Sequence, residues 1–288
     1  LSKNWLVAKL MSIYIEGFRN VPVLLWIVMI FALLTEFTPA PKAFKGADPQ
    51  ATMLLFDSIA VTNRGTYFPA PIFGEGSFWL LLSFILSVLI VIFIKKYANK
   101  QKKETGKSLP TFWISILIII LPTLGLYFLI GKPISLEYPY LKGFNFKDGI
   151  HLRNSFLALT LALALYTSAF IAEIVRAGIL AISKGQTEAA ASLGLRPNKI
   201  MNLIILPQAL RIIVPPLISN YLNLTKNSSL AIAVGYMDVR GTLGGITLNQ
   251  TGRELESMLL LMGFYLCVSL LISSVINYYN RSFQIVVR

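Results

Sequence analysis

The chain alternates between long uncharged apolar runs and short segments that carry most of its charges. A helix that crosses a bilayer needs about 20 mostly apolar residues. Six stretches have this pattern, and they are residues 21–37, 76–94, 108–131, 154–172, 200–225 and 257–280. We therefore predict an all-α integral membrane protein that is built as a multi-span helix bundle.

The fifth stretch differs from the others because prolines and a cation interrupt it. Pro207, Pro215 and Pro216 fall inside the apolar run, together with Arg211. Prolines are tolerated at membrane depth where neighbouring groups or a cavity satisfy the freed backbone groups. The interruption therefore predicts a broken span that lines a route through the bilayer.

Composition and charge agree with a membrane protein. Hydrophobic residues make up 55% of the chain and charged residues only 14%, against roughly 25% charged residues in soluble domains. The net charge of +13 arises from Lys and Arg that punctuate the apolar runs. They form no helical face or aromatic-interleaved patch, so we expect no nucleic-acid binding.

The basic segment 95–110 is predicted to be a tether. With the termini and residues 176–199, it is placed in the cytoplasm by the positive-inside rule.

Several kinds of chemistry are excluded by what the chain lacks. Cys267 and His151 are the single cysteine and the single histidine, so no His/Cys metal cluster and no Cys–His nucleophile pair can form. Residues 105–108 resemble the tail of a phosphate-binding loop, but Gln101 stands where the first glycine belongs. We therefore expect no catalytic residue, no metal and no cofactor in this chain.

Two connecting segments show no regular pattern. Residues 38–75 contain five prolines and are predicted to be an irregular outer connection. Gly241, Gly244 and Gly245 are predicted to form a flexible outer loop. The first residue is leucine, so we expect that the natural start of the protein is missing.

The segment from Gln186 to Pro207 has the local chemistry of a sharp corner. Good helix formers run from Glu188 to Ala191, and Gly194 is expected where a helix ends in a left-handed residue. Pro197 suits the first turn of a second helix. The segment therefore predicts two short helices that meet at a glycine. An ordinary connector between spans is the alternative interpretation.

The same segment carries a family resemblance. Glu188-Ala189-Ala190, three further residues, Gly194, nine further residues and then Ile204-x-Leu206-Pro207 match the "EAA" loop of permeases in ATP-binding-cassette (ABC) importers. The flanks at 169–178, 184–186, 206–211 and 215–217 resemble the polar amino-acid permeases. Residues 221–230 resemble the general L-amino acid permeases in particular. The resemblance covers about residues 4–34 and 143–287, and residues 44–142 add an outer loop and two spans.

This resemblance implies a type I ABC importer permease that moves L-amino acids from the periplasm into the cytoplasm. The chain would be a multi-pass protein of the bacterial inner membrane. The expected partners are ABC ATPase subunits that use ATP and Mg, a second permease subunit, a periplasmic amino-acid-binding protein and the lipid bilayer. The residues implied in ATPase coupling are Gln186, Glu188, Ala189, Ala190, Gly194 and Pro207.

The domain organisation expected from these patterns has four parts. Residues 1–37 form a cytoplasmic segment and the first span, and residues 38–75 form a periplasmic loop. Residues 76–142 hold two inserted spans with a basic cytoplasmic loop. Residues 143–288 form the core permease domain, with the coupling loop at 186–207.

Two groups of polar residues within the spans are candidates for the substrate pathway. Glu173 and Arg176 are three residues apart and can touch across one helical turn; they either shield each other or belong to a gate or a contact with a zwitterionic substrate. Beyond Pro216, Asn220, Asn223 and Asn227 share one helical face, with Lys226 and Ser228 beside them. Amides can bind both the carboxylate and the ammonium of an amino acid. They can equally serve as polar contacts between helices, with Lys226 extended towards the membrane surface.

Three other function classes are alternatives for this sequence. An ion-coupled secondary amino-acid transporter would also have broken helices, and ATP dependence of uptake separates it from the importer. A membrane enzyme would need a catalytic set that the spans lack. An interaction-only scaffold would not need an amide face.

Overall fold

The structure is a computed structural model, and it describes residues 2, 4–46, 49–105 and 110–283. In chain order the helices are α1 (Trp5–Asn20), α2 (Val23–Glu36), α3 (Ser77–Thr105), α4 (Thr111–Leu129), α5 (Asn154–Leu180), α6 (Lys184–Ser192), α7 (Pro197–Ile200), α8 (Leu206–Asn227), α9 (Val239–Gly241), α10 (Leu248–Thr251) and α11 (Glu254–Phe283). The short strands are β1 (Ala60–Thr62), β2 (Gly65–Phe68), β3 (Ala70–Phe73), β4 (Ile134–Glu137), β5 (Tyr140–Lys142), β6 (Asn145–Lys147) and β7 (Ile150–Leu152). Pro41–Phe44 and Ser228–Val234 are 3₁₀ helices, and Met201–Ile205 and Thr242–Thr247 are π-helical turns.

Six helical stretches are long and apolar enough to cross a membrane, and each coincides with a predicted run. They are Val23–Phe44, Ser77–Lys102, Thr111–Leu129, Asn154–Leu180, Pro197–Val234 and Glu254–Tyr278. The prediction of a multi-span helical membrane protein is thereby confirmed. Ser108 and Leu109, the first two residues of the third predicted span, lie outside the described residues, as do Gly106 and Lys107 of the phosphate-loop look-alike.

The fifth span is not broken where its sequence predicts. α8 continues through Pro215 and Pro216, and the irregular backbone lies instead before α8 and after it. The carbonyls that lose a donor to the two prolines belong to Arg211 and Ile212. Both of these residues are exposed, so the missing hydrogen bonds fall on the side that points away from the core.

The chain divides into two compact units. The first comprises Leu1–Pro39, Thr62–Gly65 and Leu152–Arg288, and the second comprises Ala40–Val61 and Thr66–His151. In the first unit α2 packs along α5, and their buried cluster is completed by the 3₁₀ helix Ser228–Val234. Its buried members are Val23, Ile27, Leu159, Ala162, Leu163, Ala231 and Val234. Irregular backbone at membrane depth therefore survives here because protein surrounds it.

Polar contacts hold the start and the middle of α5 within this unit. The buried Asn154 side chain donates to the carbonyls of Leu34 (3.1 Å) and Thr62 (3.3 Å), which ties the start of α5 to the end of α2. Further along α5, the hydroxyl of Tyr14 from α1 donates to the Leu165 carbonyl at 2.7 Å. These bonds satisfy polar groups that would be costly to bury alone.

α5 and α8 approach each other most closely at a glycine. A Cβ atom placed on Gly178 would overlap the Ile213 side chain, and the Ala209 carbonyl oxygen would lie 3.5 Å from it. Gly178, Ala209 and Ile213 are all buried. Small residues let helix backbones pack closely in membranes. Gly178 therefore allows α5 to pack tightly against α8 at Ala209 and Ile213.

The second unit contains the α3–α4 pair and several small strands. β3 and β4 are antiparallel, with Ala70 opposite Glu137, and β5 pairs with β6. β1, β2 and β7 form a three-stranded sheet. The prediction that residues 38–75 are irregular is wrong for residues 60–73. β1 pairs with β2 across the two-residue turn at Asn63 and Arg64, whereas β2 and β3 pair with β7 and β4, about 60 to 90 positions later. No local pattern reveals the long-range pairs.

The basic segment after the second span is also not what the sequence predicts. α3 runs without interruption to Thr105, so the predicted tether is helical over residues 95–105. Lysine is a good helix former, and the segment contains no Gly or Pro before residue 106. The helix of the span therefore propagates into its charged continuation.

The predicted flexible glycine loop is wrong as well. Gly241 ends α9, and Gly244 and Gly245 lie in the π-helical turn Thr242–Thr247. The Asp238 side chain accepts a hydrogen bond from the backbone N–H of Gly241 at 2.9 Å and so caps α9. A capping aspartate explains helix formation that the glycines alone disfavour.

The glycine between α5 and α8 gives a stability prediction. Gly178→Ala should lower the free energy of unfolding by about 1–3 kcal/mol, because the added methyl group overpacks a filled interface. Thermal unfolding of the purified protein in detergent measures the effect. Combining it with Ile213→Ala should cost less than the sum of the two single changes, since the methyl group then finds room.

The matched control is Gly263→Ala in α11, where an added Cβ meets nothing within 4 Å. This variant should unfold at or above the wild-type temperature. A Gly178→Ala protein as stable as Gly263→Ala would contradict the close approach.

Candidate functional site

The predicted glycine corner is present, and two backbone hydrogen bonds form it. The N–H of Gly194 donates to the Ala191 carbonyl at 2.9 Å, and the N–H of Leu195 donates to the Ala190 carbonyl at 3.3 Å. Gly194 has a φ of +76°. This pair of bonds around a left-handed glycine is a Schellman motif. It ends α6 and turns the chain towards α7, whose first residue is Pro197.

The helix before the corner presents most of its predicted coupling residues outwards. Gln186, Glu188 and Ala189 are exposed, whereas Ala190 is buried, with 3% of its surface accessible. Ala190 therefore packs inwards and is not free to contact another protein. The two alanines therefore differ. Ala190 packs α6 against its own chain, and Ala189 leaves a small exposed surface.

Leu193, the residue just before the glycine, is a further candidate contact residue that the sequence does not predict. Its side chain is 80% exposed at the tip of the corner. Single exposed leucines are common in soluble proteins, but this one projects from a polar segment next to exposed Glu188 and Ala189. Its position directly before Gly194 is the signal that could have identified it.

The corner is joined tightly to two membrane-spanning helices. Only three residues, Ala181 to Ser183, separate α5 from α6. On the other side, α7 continues through the π-helical turn Met201–Ile205 into α8 without leaving a helical conformation. The two spans that adjoin the corner, α5 and α8, also contact each other where Gly178 packs against Ile213.

Pro207 lies at the start of α8, well beyond the corner. It follows the π-helical turn, where the Gln208 side chain donates to the Ile204 carbonyl at 3.0 Å. Proline cannot donate a hydrogen bond to the preceding helical turn, and the switch from π-helical to α-helical backbone falls directly before Pro207. Pro207 therefore marks the junction between two helix types, and the structure does not place it beside Glu188 and Ala189.

Glu173 and Arg176 form the contact that their spacing predicts. The Arg176 Nη2 atom lies 2.7 Å from Glu173 Oε1, and Nε lies 3.0 Å from Oε2, so the pair is bidentate. The Glu173 side chain is 26% exposed and that of Arg176 is 51% exposed. Arg19 of α1 interacts electrostatically with Glu173 and lies 5.6 Å from the centre of the Phe170 ring. The pair thus belongs to a group of charges two turns before the end of α5.

The predicted amide face occupies the last turns of α8. Asn220 is half-buried and its side chain donates to the Pro216 carbonyl at 3.1 Å, which gives it a structural partner. Asn223 and Lys226 are exposed. Asn227 is half-buried at the last position of α8, and Ser228 begins the 3₁₀ helix, where its hydroxyl donates to the Thr225 carbonyl at 2.7 Å.

A polar network missed from the sequence surrounds this end of α8. The Tyr265 hydroxyl on α11 contacts the side chains of Ser228 and Ser229, and it interacts electrostatically with Asp238 and Arg240. Arg240 also donates from Nη1 to the Ser229 carbonyl at 3.0 Å. These groups lie up to 37 positions apart in the chain, so only the tertiary fold brings them together. Their bonds fix the point at which α8 changes into a 3₁₀ helix.

Within the described ranges of the chain, no cluster of three or more His, Cys, Asp or Glu side chains could hold a metal ion. The polar groups of these two regions are instead amides, hydroxyls and paired charges. Such groups can bind and release a polar solute, and they can hold helices in register.

Comparison with known proteins identifies the family. The family described as the binding-protein-dependent transport system inner membrane component matches residues 104–284, which is more than half of the chain. The glutamate/glutamine/aspartate/asparagine transport system permease protein BztB of Rhodobacter capsulatus is 53% identical over 99% of this chain and 72% of its own length. The putative amino-acid ABC transporter permease protein YhdX of Escherichia coli is 44% identical over 100% of this chain and 71% of its own.

A third relative also matches the whole chain. The general L-amino acid transport system permease protein AapQ of Rhizobium johnstonii is 41% identical over 100% of this chain and 70% of its own length. These three matches span nearly the whole chain, residues 44–142 included, and they do not favour an ion-coupled secondary transporter. The chain therefore belongs to the inner membrane components of binding-protein-dependent transport systems, and it is a multi-pass permease subunit of the amino-acid ABC importer group.

Proposed function

We propose that this permease moves L-amino acids into the cytoplasm by receiving the motion of ABC ATPase subunits at α6. A periplasmic amino-acid-binding protein delivers the substrate, and a second permease subunit completes the pathway. ATP and Mg act in the ATPase, which supplies the free energy. The names of the relatives support this substrate class, since BztB is named for glutamate, glutamine, aspartate and asparagine and AapQ for L-amino acids in general.

The single observation that carries the coupling role is the Schellman corner at Gly194. An ATPase that closes on ATP must push on a stiff element, because a flexible loop would absorb the displacement. α6 is stiffened by its helix formers and is held at its end by the two backbone bonds to Ala190 and Ala191. Exposed Gln186, Glu188, Ala189 and Leu193 form the surface that contacts the ATPase.

The motion then passes into the membrane through two short connections. α6 is separated from α5 by three residues and is continuous with α8 through α7. Since α5 and α8 are locked at Gly178 and Ile213, they move as one body. Rigid-body movement of packed helices is a common form of alternating access. In this proposal the corner is the cytoplasmic element on which the ATPase acts.

The substrate pathway follows from the polar end of α8. The side chains of Asn223 and Lys226 are exposed and, among the described residues, make no hydrogen bond or ion pair within the chain. Asn220, Asn227 and Ser228 complete this face. Polar groups within membrane spans are costly and usually functional. We assign Asn223 to a substrate contact, and we assign Tyr265 and Arg240 to positioning the adjacent 3₁₀ helix. Glu173 and Arg176, which lie nearer the cytoplasmic corner, are assigned to a gate.

The corner is tested by changing the glycine. Gly194→Val should reduce ATP-dependent uptake by the assembled importer at least tenfold, because a β-branched residue does not tolerate a positive φ. Gly194→Asn should keep most of the uptake, since asparagine adopts the left-handed conformation at low cost. An added Cβ meets nothing within 4 Å at this position, so the two variants differ in backbone preference and not in crowding.

The readout is uptake of labelled amino acid into vesicles that contain the full importer, with membrane insertion checked separately. Glu188→Lys should also abolish uptake by reversing an exposed charge on the contact surface. If Gly194→Val transported as well as Gly194→Asn, the corner would not act as a rigid coupling element.

The pathway is tested at Asn223. Asn223→Leu should lower the uptake rate about threefold to tenfold, which corresponds to the loss of about one hydrogen bond to substrate. Its thermal stability and its assembly with the other subunits should stay unchanged, because the amide makes no bond within the described chain. Asn220→Leu provides the contrast, since it removes the bond to the Pro216 carbonyl and should lower stability as well.

Uptake with unlabelled amino acids as competitors shows whether the substrate class is broad. Competition by only one side-chain class would contradict the general L-amino acid assignment. Normal uptake by Asn223→Leu would remove Asn223 from the pathway while leaving the coupling proposal standing.

A further inference from the structure

The cytoplasmic end of α3 is a rigid basic rod rather than a loop. The apolar run of this span ends at Ile94, but the helix continues for eleven residues to Thr105. At 1.5 Å per residue, this extension projects about 16 Å beyond the apolar run. The helix therefore sets the distance of each lysine backbone position from the membrane surface.

The lysines share one side of this extension. Lys95, Lys96, Lys100 and Lys102, here called the lysine face, are all exposed. At 3.6 residues per turn they fall within an arc of about 160°. The rest of the circumference carries Ala98, which is 6% exposed, and the half-buried Gln101. One side of the extension thus packs against protein while the lysine face is directed away from it.

The charge of the lysine face is nearly uncompensated. Within the described residues, Glu104 is the one carboxylate at ion-pair distance, with its Oε1 atom 3.9 Å from Lys100 Nζ. The two side chains are 75% and 61% exposed, and exposed pairs of this kind are weak. The lysine face therefore presents a concentrated positive charge that needs an anionic partner.

We propose that the lysine face binds the phosphate headgroups of anionic phospholipids in the cytoplasmic leaflet. Lys95 and Lys96 directly follow the last apolar residue and so lie within the headgroup layer, which extends about 5–8 Å beyond the hydrocarbon core. Lys100 and Lys102 are about 6–11 Å further along the helix, and their flexible side chains can reach back towards the surface. Juxtamembrane lysines at this distance favour anionic lipids by about fivefold each at low salt.

The position of the lysine face argues against other anions. A nucleic acid that contacted Lys95 and Lys96 would have to enter a layer that is itself negatively charged. Tyr97 is also exposed at this level, and tyrosine is enriched where the bilayer meets water. A lipid headgroup is already present at this depth, so its binding needs no rearrangement of the membrane.

The proposal is tested with a local probe inside the lysine face. Asn99 is exposed between Lys96 and Lys100, so Asn99→Cys in a Cys267→Ser background accepts a fluorophore there. The full importer is reconstituted in phosphatidylcholine vesicles that contain either phosphatidylglycerol or phosphatidylcholine with a nitroxide near the headgroup. Phosphatidylglycerol should quench the fluorophore at a severalfold lower mole fraction, and raising the salt concentration should reduce this preference.

Three variants make the result specific. Changing Lys95, Lys96, Lys100 and Lys102 to Gln should make the two quenching curves coincide, and changing the same four to Arg should keep the preference. The charge-matched control replaces the exposed Lys42, Lys45, Lys142 and Lys147 with Gln, which should leave the preference at position 99 unchanged.

Two outcomes would overturn the proposal. The first is equal quenching by the two lipids in the unmodified chain, and the second is a preference that survives the four Gln changes. A preference that appears only when the ATPase subunits are omitted would assign the lysine face to the ATPase and would also contradict lipid binding. None of these readouts depends on uptake, so they stand apart from the coupling proposal.

Discussion

The corner between α6 and α7 depends on two backbone hydrogen bonds, from Gly194 to Ala191 and from Leu195 to Ala190. They hold a left-handed residue at a fixed angle between two helices. Without them α6 would end in a frayed turn, and a push on its exposed face would be lost as bending. In the coupling that we propose, the same push would reach α8 through α7 and α5 through a three-residue link. The close packing of Gly178 against Ile213 would then make the two spans move together.

A second constraint is the satisfaction of backbone groups where the helices are irregular. The change from α8 to a 3₁₀ helix at Ser228 frees carbonyls at membrane depth, where water does not reach them. The side chains of Ser228 and Ser229 bond back to the preceding turn, and Arg240 donates to the Ser229 carbonyl. Tyr265 contacts both serines from α11. This network leaves the exposed amide of Asn223 without a structural task, which is why it is the better candidate for contact with substrate than the self-bonded Asn220.

Much of this arrangement could be predicted from the sequence because the signals are local. The spans follow from uncharged runs, the corner from Gly194 and Pro197, and the contact between Glu173 and Arg176 from their spacing. The parts that escaped prediction depend on long-range contacts. β2 and β3 pair with strands far along the chain, and Tyr265 meets Ser228 across 37 positions. The exposure of Leu193 and the burial of Ala190 depend on the orientation of α6, which the sequence does not reveal. The helical extension of α3 differs from the predicted tether because dense charge indicates a loop, although lysine itself favours a helix.

The central claim is that the corner transmits motion without bending, and a distance across it tests this most directly. Ser192→Cys and Asn198→Cys place spin labels on exposed positions on either side of Gly194, with Cys267→Ser removing the native thiol. The distance distribution is measured by pulsed electron paramagnetic resonance in the assembled importer, without nucleotide and with ATP trapped. A rigid corner predicts one narrow distribution that is the same in both states. A distribution that broadens or shifts with ATP would show that the corner is a hinge and would contradict the account.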